Sequence, residues 1–157
     1  MGVEGCLAKI VSDWGGGSGS GCHHGEVRGR SKTAWWGVVL EAPDAHALAA
    51  FYSRLLGWPV SVTEENGAAI QVPGTSSYLS FDNAPDYVPP VWPAAEGSQR
   101  MMMHIDIAVD DLAAAVSDAL ELGAVLADFQ PQENVRVLLD PAGHPFCLTT
   151  VTPGPAG

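Results

Sequence analysis

Beyond Lys32 the chain contains no lysine, and only Arg54, Arg100 and Arg136 supply positive charge there. The first 34 residues carry Lys9, Arg28, Arg30 and Lys32 against Glu4, Asp13 and Glu26, a balance of +1. The remainder therefore nets −12 within a whole-chain charge of −11. A surface this poor in cations repels a phosphate backbone, which argues against nucleic-acid partners and for cationic ligands. Cysteine is scarce too: Cys6, Cys22 and Cys147 are odd in number and far apart, so no disulfide scaffold is expected. That usage fits a reducing cytoplasm. No apolar run approaches the roughly 18–20 residues that cross a bilayer, so no membrane association is expected. A basic start followed by a long apolar stretch is also missing, so no secretory signal is expected. There is no phosphate loop, dinucleotide fingerprint, Ser-His-Asp order or pair of zinc-binding cysteine motifs.

What is present falls into two compositions. "WGGGSGSGCHHGEVRGRSKT" (Trp14–Thr33) is rich in Gly and Ser and has almost no apolar periodicity. Residues 1–34 are expected to form a disordered extension. Cys22-His23-His24 offers metal-ligand atoms, but three adjacent residues without a second pair make no structural zinc site. Order is expected from about Trp35 to residue 152, with 153–157 a short tail.

Within that span a pattern occurs twice. "WGVVLEA" reads as a strand, and "AHALAAFYSRLLG" (Ala45–Gly57) as a helix with Leu48, Phe51, Tyr52 and Leu55 on one face. "PVSVTE", "AAIQV" and "SYLSF" read as three short strands. Then "HIDIAVDD" (His104–Asp111) is a strand, and "LAAAVSDALELG" (Leu112–Gly123) a helix with Leu112, Val116, Ala119 and Leu120 on one face. "AVLADF", "NVRVLL" and "PFCLTTV" are three more strands. Gly37–Asp44 lies over His104–Asp111 at an offset of 67 residues, an internal β-α-β-β-β duplication. The modules are 35–82 and 102–152, joined by a Pro-rich loop over 83–101 that holds Tyr87 and Trp92. A loop this long inside a compact domain is usually functional.

The duplication, "FYSRLLGW" in the first helix, the His-led strand that opens the second module and the closing "DPAGHPF" turn together resemble the vicinal oxygen chelate superfamily. That group includes glyoxalases, extradiol dioxygenases, fosfomycin-modifying enzymes and bleomycin-resistance proteins. The resemblance covers about Trp35–Thr152. Small bacterial glyoxalase-like proteins also carry a "PPxWP"-type loop. It implies an α+β fold of duplicated β-α-β-β-β modules forming a cup-shaped sheet, and commonly a homodimer.

In metal-dependent members of that superfamily a divalent ion is bound by side chains from the first and last strands of each module. Carried over singly, the first-strand His position falls on Gly37. The fourth-strand Glu falls on Ser80. The second-module His falls on His104, a match, and the last-strand Glu on Cys147. A pair of His104 and Cys147 alone leaves fewer than the three protein ligands of a catalytic zinc. The resemblance therefore implies no inherited metal centre, no cofactor and no metal-dependent glyoxalase activity.

Strand alternation assigns further residues to the cup. Glu41, Tyr78, Ser80, Asp82, Asp106 and Cys147 are expected on the face of His104, with Tyr87 and Trp92 as lid aromatics from the connecting loop. Val38, Leu40, Leu79, Phe81, Ile105 and Ile107 are expected on the opposite, core face, as are Phe146 and Leu148. No catalytic residue is assigned, His104 being a candidate only. Cys147 suits a small buried apolar group better than a nucleophile, and His144 suits a structural place in its turn. Three functions stay open. One is metal-free binding or sequestration of a small, cationic or aromatic molecule. Another is a lyase or other enzyme that uses a non-standard metal site, with ligands such as Asp106 or Glu41, or His104 as acid–base. The last is a domain kept for assembly.

Overall fold

The computed structural model describes residues 36–151. The expectations for residues 1–34, including Cys22-His23-His24, and for the 153–157 tail lie outside the described residues. Strand β1 (Gly37–Ala42) leads through Pro43 into helix α1 (Ala45–Leu56). Asp44 caps that helix, its carboxylate accepting from the Ala47 N–H at 2.9 Å. Gly57 ends it in the left-handed conformation at φ 67°, its N–H donating to the Ser53 carbonyl. Strands β2 (Val60–Glu64), β3 (Gly67–Gln71) and β4 (Tyr78–Asn83) complete the first module.

The second module repeats it with β5 (Ile105–Ala108), α2 (Leu112–Glu121), β6 (Val125–Leu126), β7 (Val135–Leu139) and β8 (Pro145–Thr149). Asp111 caps α2 as Asp44 caps α1, accepting from Ala114 N–H at 3.0 Å. The result is two four-stranded mixed sheets, ordered β1-β4-β3-β2 and β5-β8-β7-β6. In each, the first and last strands of the module run parallel and the others antiparallel. Val39 pairs with Ser80, and 67 residues further along Asp106 pairs with Cys147. The duplication read from the sequence is thus a duplication of hydrogen-bond register. Ser80 occupies in β4 the place of Cys147 in β8.

Three details differ from the sequence reading. Strand β5 covers only Ile105–Ala108 of the expected His104–Asp111, because Asp111 is taken up as the cap of α2. Leu120 is 43% exposed, and α2 instead packs through Leu112, Ala115, Val116, Ala119 and Leu122. A residue adjacent to Ala119 is turned by about 100° around the helix, which carries Leu120 off the buried stripe. Strand β6 has two residues, not six, because Gln130 replaces the missing ladder. Its side-chain amide donates to the Ala127 and Val137 carbonyls and accepts from the Val137 N–H, at 2.8–2.9 Å.

One core serves both modules. Phe51 and Tyr52 of α1 contact Phe146 of β8 at ring separations of 5.9 and 6.2 Å, and Tyr52 stacks on Phe81 of β4. The Tyr52 hydroxyl donates to Asp140 Oδ2 at 3.0 Å. The Asp140 side chain is fully buried, and it also accepts from the N–H groups of Ala142 and His144 and from the His144 ring. A buried carboxylate persists only with donors on this scale. Burial, then the Asp140 charge, holds the Tyr52 phenol well above its usual pKa. The "DPAGH" turn is therefore a polar knot that ties the second module to α1.

Candidate functional site

Alternation along the strands sorts their side chains as anticipated: Val38, Leu40, Leu79, Phe81, Ile105, Ile107, Phe146 and Leu148 all join the shared core. The opposite faces of the two sheets are left for function, and they differ.

On the second sheet that face floors an open cleft of about 450 Å³. Asp106 projects from β5 and Cys147 from β8 directly opposite. His104 stands two residues before Asp106 and so lies on the same side, immediately ahead of β5. Its Nε2 lies 3.2 Å from Asp106 Oδ1, with the side chains 41% and 64% exposed. Burial first, then a hydrogen bond to Asp106 and its charge, pushes the Cys147 thiol up to about 11. At neutral pH Cys147 is thus a protonated thiol leaning on Asp106, with little nucleophilic character. Val135 and Val137 from β7, with Thr149, extend the floor, and Trp92 forms a wall. Trp92 is held there by the second module: its indole N–H donates to the Phe129 carbonyl at 3.1 Å, and the two rings are 6.3 Å apart.

On the first sheet the corresponding place is closed. Ser80 is 4% exposed, and Ala69 beside it is buried against Val62 and Tyr78. One row along, Glu41 pairs with Asp82, Asp82 with Gly67, and Gly67 with Glu64. Three carboxylates thus line one side of the sheet, with a glycine gap between the second and third. Burial, then the charges of Glu41 and Glu64, raises the Asp82 carboxyl above its ordinary pKa. Asp82 Oδ1 and Glu64 Oε1 are buried without a hydrogen-bond partner.

Of the residues singled out from the sequence, His104, Asp106, Cys147 and Trp92 meet around the cleft. Glu41, Tyr78, Ser80 and Asp82 stand on the other sheet and do not line it. Tyr87 does not line it either: its ring lies 5.2 Å from that of His144, and burial pushes its phenol up to about 12. His144 sits in the Asp140 knot, its Nδ1 2.9 Å from Oδ2. Sequence reading missed Pro131, Gln132 and the two β7 valines. The valines share the phase of Cys147 and were legible. The loop residues were not, since no periodicity governs where a loop folds back.

A family model described as a glyoxalase-like domain matches residues 37–149. The chain belongs to the glyoxalase-like family. It is thereby a member of the vicinal oxygen chelate superfamily. The oxidase ChaP-H2 superposes with a TM-score of 0.55 at 18% identity, over 81% of this chain and 100% of that one. A glyoxalase/bleomycin resistance/dioxygenase family enzyme from Burkholderia phytofirmans does so with 0.55 at 18%, over 71% and 94%. A "possible Glyoxalase" from Bacillus cereus gives 0.54 at 13%, over 72% and 95%. At these identities the likeness is one of fold. Among curated proteins none matches the sequence.

In this glyoxalase-like domain the two first-module strand positions offer little to a metal. A Cβ built on Gly37 would lie 2.6 Å from the Tyr78 carbonyl oxygen, so the backbone there leaves no room for any side chain. Ser80 is buried and carries a weakly ligating hydroxyl. Among the described residues, three donors close enough to share one ion occur in the second module. His104, Asp106 and Cys147 place one ligand atom each within 4.8 Å of one another.

Proposed function

We propose that the protein binds a small molecule with an aromatic or apolar body in the second-module cleft, in the manner of a sequestering or carrier protein. The observation that carries this reading is the asymmetry of the cleft. Trp92, Val135, Val137 and Val151 give it an apolar lining, with Trp92 held by its hydrogen bond to the Phe129 carbonyl, while His104, Asp106 and Cys147 gather at one spot on the floor. A cleft of about 450 Å³ lies within the common size range of small-ligand sites, roughly 300–1,000 Å³. Among the described residues Asp106 is the one acid lining it, and Trp92 lines the same cleft. A cation over an indole face gains about 0.5–2 kcal/mol, so a positively charged group is preferred in the metal-free protein. The test is a thermal-shift screen pairing aromatic amines with neutral isosteres. Amines should raise the melting temperature more, through mass action on the folded state, and the advantage should shrink in Asp106→Asn. Equal shifts for both sets remove the cationic preference.

A second reading gives His104 an acid–base role, on the strength of its contact with Asp106. Turnover of a bound compound, lost in His104→Ala with binding retained, separates it from the first. The same proposal includes a homodimer in the cytoplasm. Trp36 and Met103 lead into equivalent strands, and both are exposed apolar side chains, as is Met102. No helix among the described residues is long and apolar enough to cross a membrane. Light scattering that returns a monomer mass at working concentration removes the dimer.

A further inference from the structure

We propose that His104, Asp106 and Cys147 together bind one soft or borderline divalent metal ion, zinc fitting best. Two of these residues stand at strand positions where the superfamily places ligands. By themselves they are too few. Asp106 supplies the third donor, two residues along the chain from His104 and within β5, and the first module supplies none. The site is therefore contained in one module, shifted toward the cleft.

The geometry follows from the sheet. β5 and β8 are parallel neighbours, and their register sets Asp106 directly opposite Cys147. His104 precedes Asp106 by one strand period, so its ring leans over the same surface. The three donor atoms lie within 4.8 Å of one another, and His104 Nε2 and Asp106 Oδ1 are already at 3.2 Å. Zinc bond lengths of about 2.0–2.3 Å imply edges of roughly 3.3–3.8 Å in a tetrahedron of N, O and S ligands. Only a modest closure of Cys147 on the other two is needed. The side chains of His104 and Asp106 are 41% and 64% exposed and free to make it.

The donor set selects the ion. One imidazole, one carboxylate and one thiolate suit zinc or another late transition metal, and a thiolate disfavours magnesium and calcium, which take oxygen ligands. Binding forms the metal–sulfur bond and releases the Cys147 thiol proton to solvent. The ion's two positive charges then meet Asp106 and the thiolate, so the local charge moves from −1 to zero. Three protein ligands leave a fourth position, and the cleft opens onto it. This is the arrangement of a zinc that receives an exogenous ligand rather than a closed structural one. The inference concerns the same cleft as the small-molecule reading but does not need an organic ligand. The two can fail separately. Where both hold, zinc loading should erase the preference for cations.

The experiment is a cobalt(II) titration of the full chain carrying Cys6→Ser and Cys22→Ser, so that Cys147 is the sole thiol. Zinc displacement then gives the affinity. The expected result is one cobalt per chain, with thiolate-to-cobalt charge-transfer absorption in the near ultraviolet that zinc abolishes. Cys147→Ser should remove the absorption. His104→Ala and Asp106→Asn should each weaken affinity more than about tenfold, the lower end of what losing even a hydrogen-bonding partner of a ligand costs. Thermal unfolding of each variant checks that the fold persists. No charge-transfer absorption in the chain that retains Cys147, or equal affinity in Asp106→Asn, overturns the site. Metal retained with the Cys147→Ser spectrum unchanged overturns it as well.

Discussion

The two sheets share one topology and one register, yet the free face of the first buries Ser80 and Ala69 at the place where the second opens into a cleft. Where β4 places Ser80 beside Ala69 under Val62 and Tyr78, β8 places Cys147 beside Val137 at the floor of a cleft. Where β1 carries Val39, β5 carries Asp106. The first module keeps its acids one row further along, as Glu41, Asp82 and Glu64, and leaves two of their oxygens without a partner. A duplicated fold thus conserves its backbone hydrogen bonds and its core phase, while the free face changes residue by residue. Architecture and chemistry are separable in this molecule.

The largest effect expected bears on what the modules have in common. Phe146 belongs to β8 but packs on Phe51 and Tyr52 of α1. Phe146→Ala should cost about 3–5 kcal/mol, and denaturant unfolding should remain a single transition. If the second module unfolded first, leaving α1 and the first sheet intact, the modules would be independent bodies rather than halves of one core.

The next bears on reactivity. With its pKa pushed up to about 11, Cys147 should be alkylated at pH 8 on the order of a hundredfold more slowly than an ordinary thiol of pKa about 8.5. The raised value means that the folded state favours the neutral thiol. The stability this lends is full below the ordinary thiol pKa and is lost as pH rises through about 11. Asp106→Asn should speed alkylation by removing the neighbouring charge. A pH–rate profile for Cys147, read by peptide mass spectrometry, checks both.

Gly37 and His104 occupy equivalent places and should respond oppositely. Gly37→Ala drives a Cβ to 2.6 Å from a backbone oxygen and must part β1 from β4. Overpacking of this kind costs about 1–3 kcal/mol. His104→Ala removes a side chain from an open cleft and should stay within about 0.5 kcal/mol. Thermal melts of the two variants compare them directly. The same contact means that a histidine placed at Gly37 must first displace the Tyr78 carbonyl.

The smallest effect concerns the acidic row. Burial and like charges raise the Asp82 carboxyl, so the folded state favours its protonated form. That contribution is full below the ordinary carboxyl pKa and is lost as pH rises through the raised value. Asp82→Asn should therefore raise the melting temperature slightly at pH 7 and leave it unchanged in acid.

The fold was legible because it depends on periodicity. Two helices with apolar stripes and strands repeated at a constant offset leave few ways to build a sheet. Strand phase was legible for the same reason. The extent of β6 was not, because a single side chain, Gln130, stands in for a backbone ladder. The site was half legible. Phase put His104, Asp106 and Cys147 on one face, but it assigned the same face to Glu41, Ser80 and Asp82. Which free face stays open depends on what covers it, here Tyr78 and Val62 on one sheet and a loop carrying Trp92 beside the other. Those are tertiary contacts without a local sequence signature.

The most direct test of the central claim, that binding belongs to the second face and not the first, is a calorimetric titration of one stabilising aromatic amine into four full-length variants. Trp92→Ala and Asp106→Asn should each weaken binding, Trp92→Ala by the roughly twofold to thirtyfold that a lost cation–π contact of about 0.5–2 kcal/mol represents. Glu41→Gln and Tyr87→Phe should bind as the parent does. Affinity lost in Glu41→Gln and kept in both Trp92→Ala and Asp106→Asn would place the ligand on the acidic row of the first sheet and contradict the account.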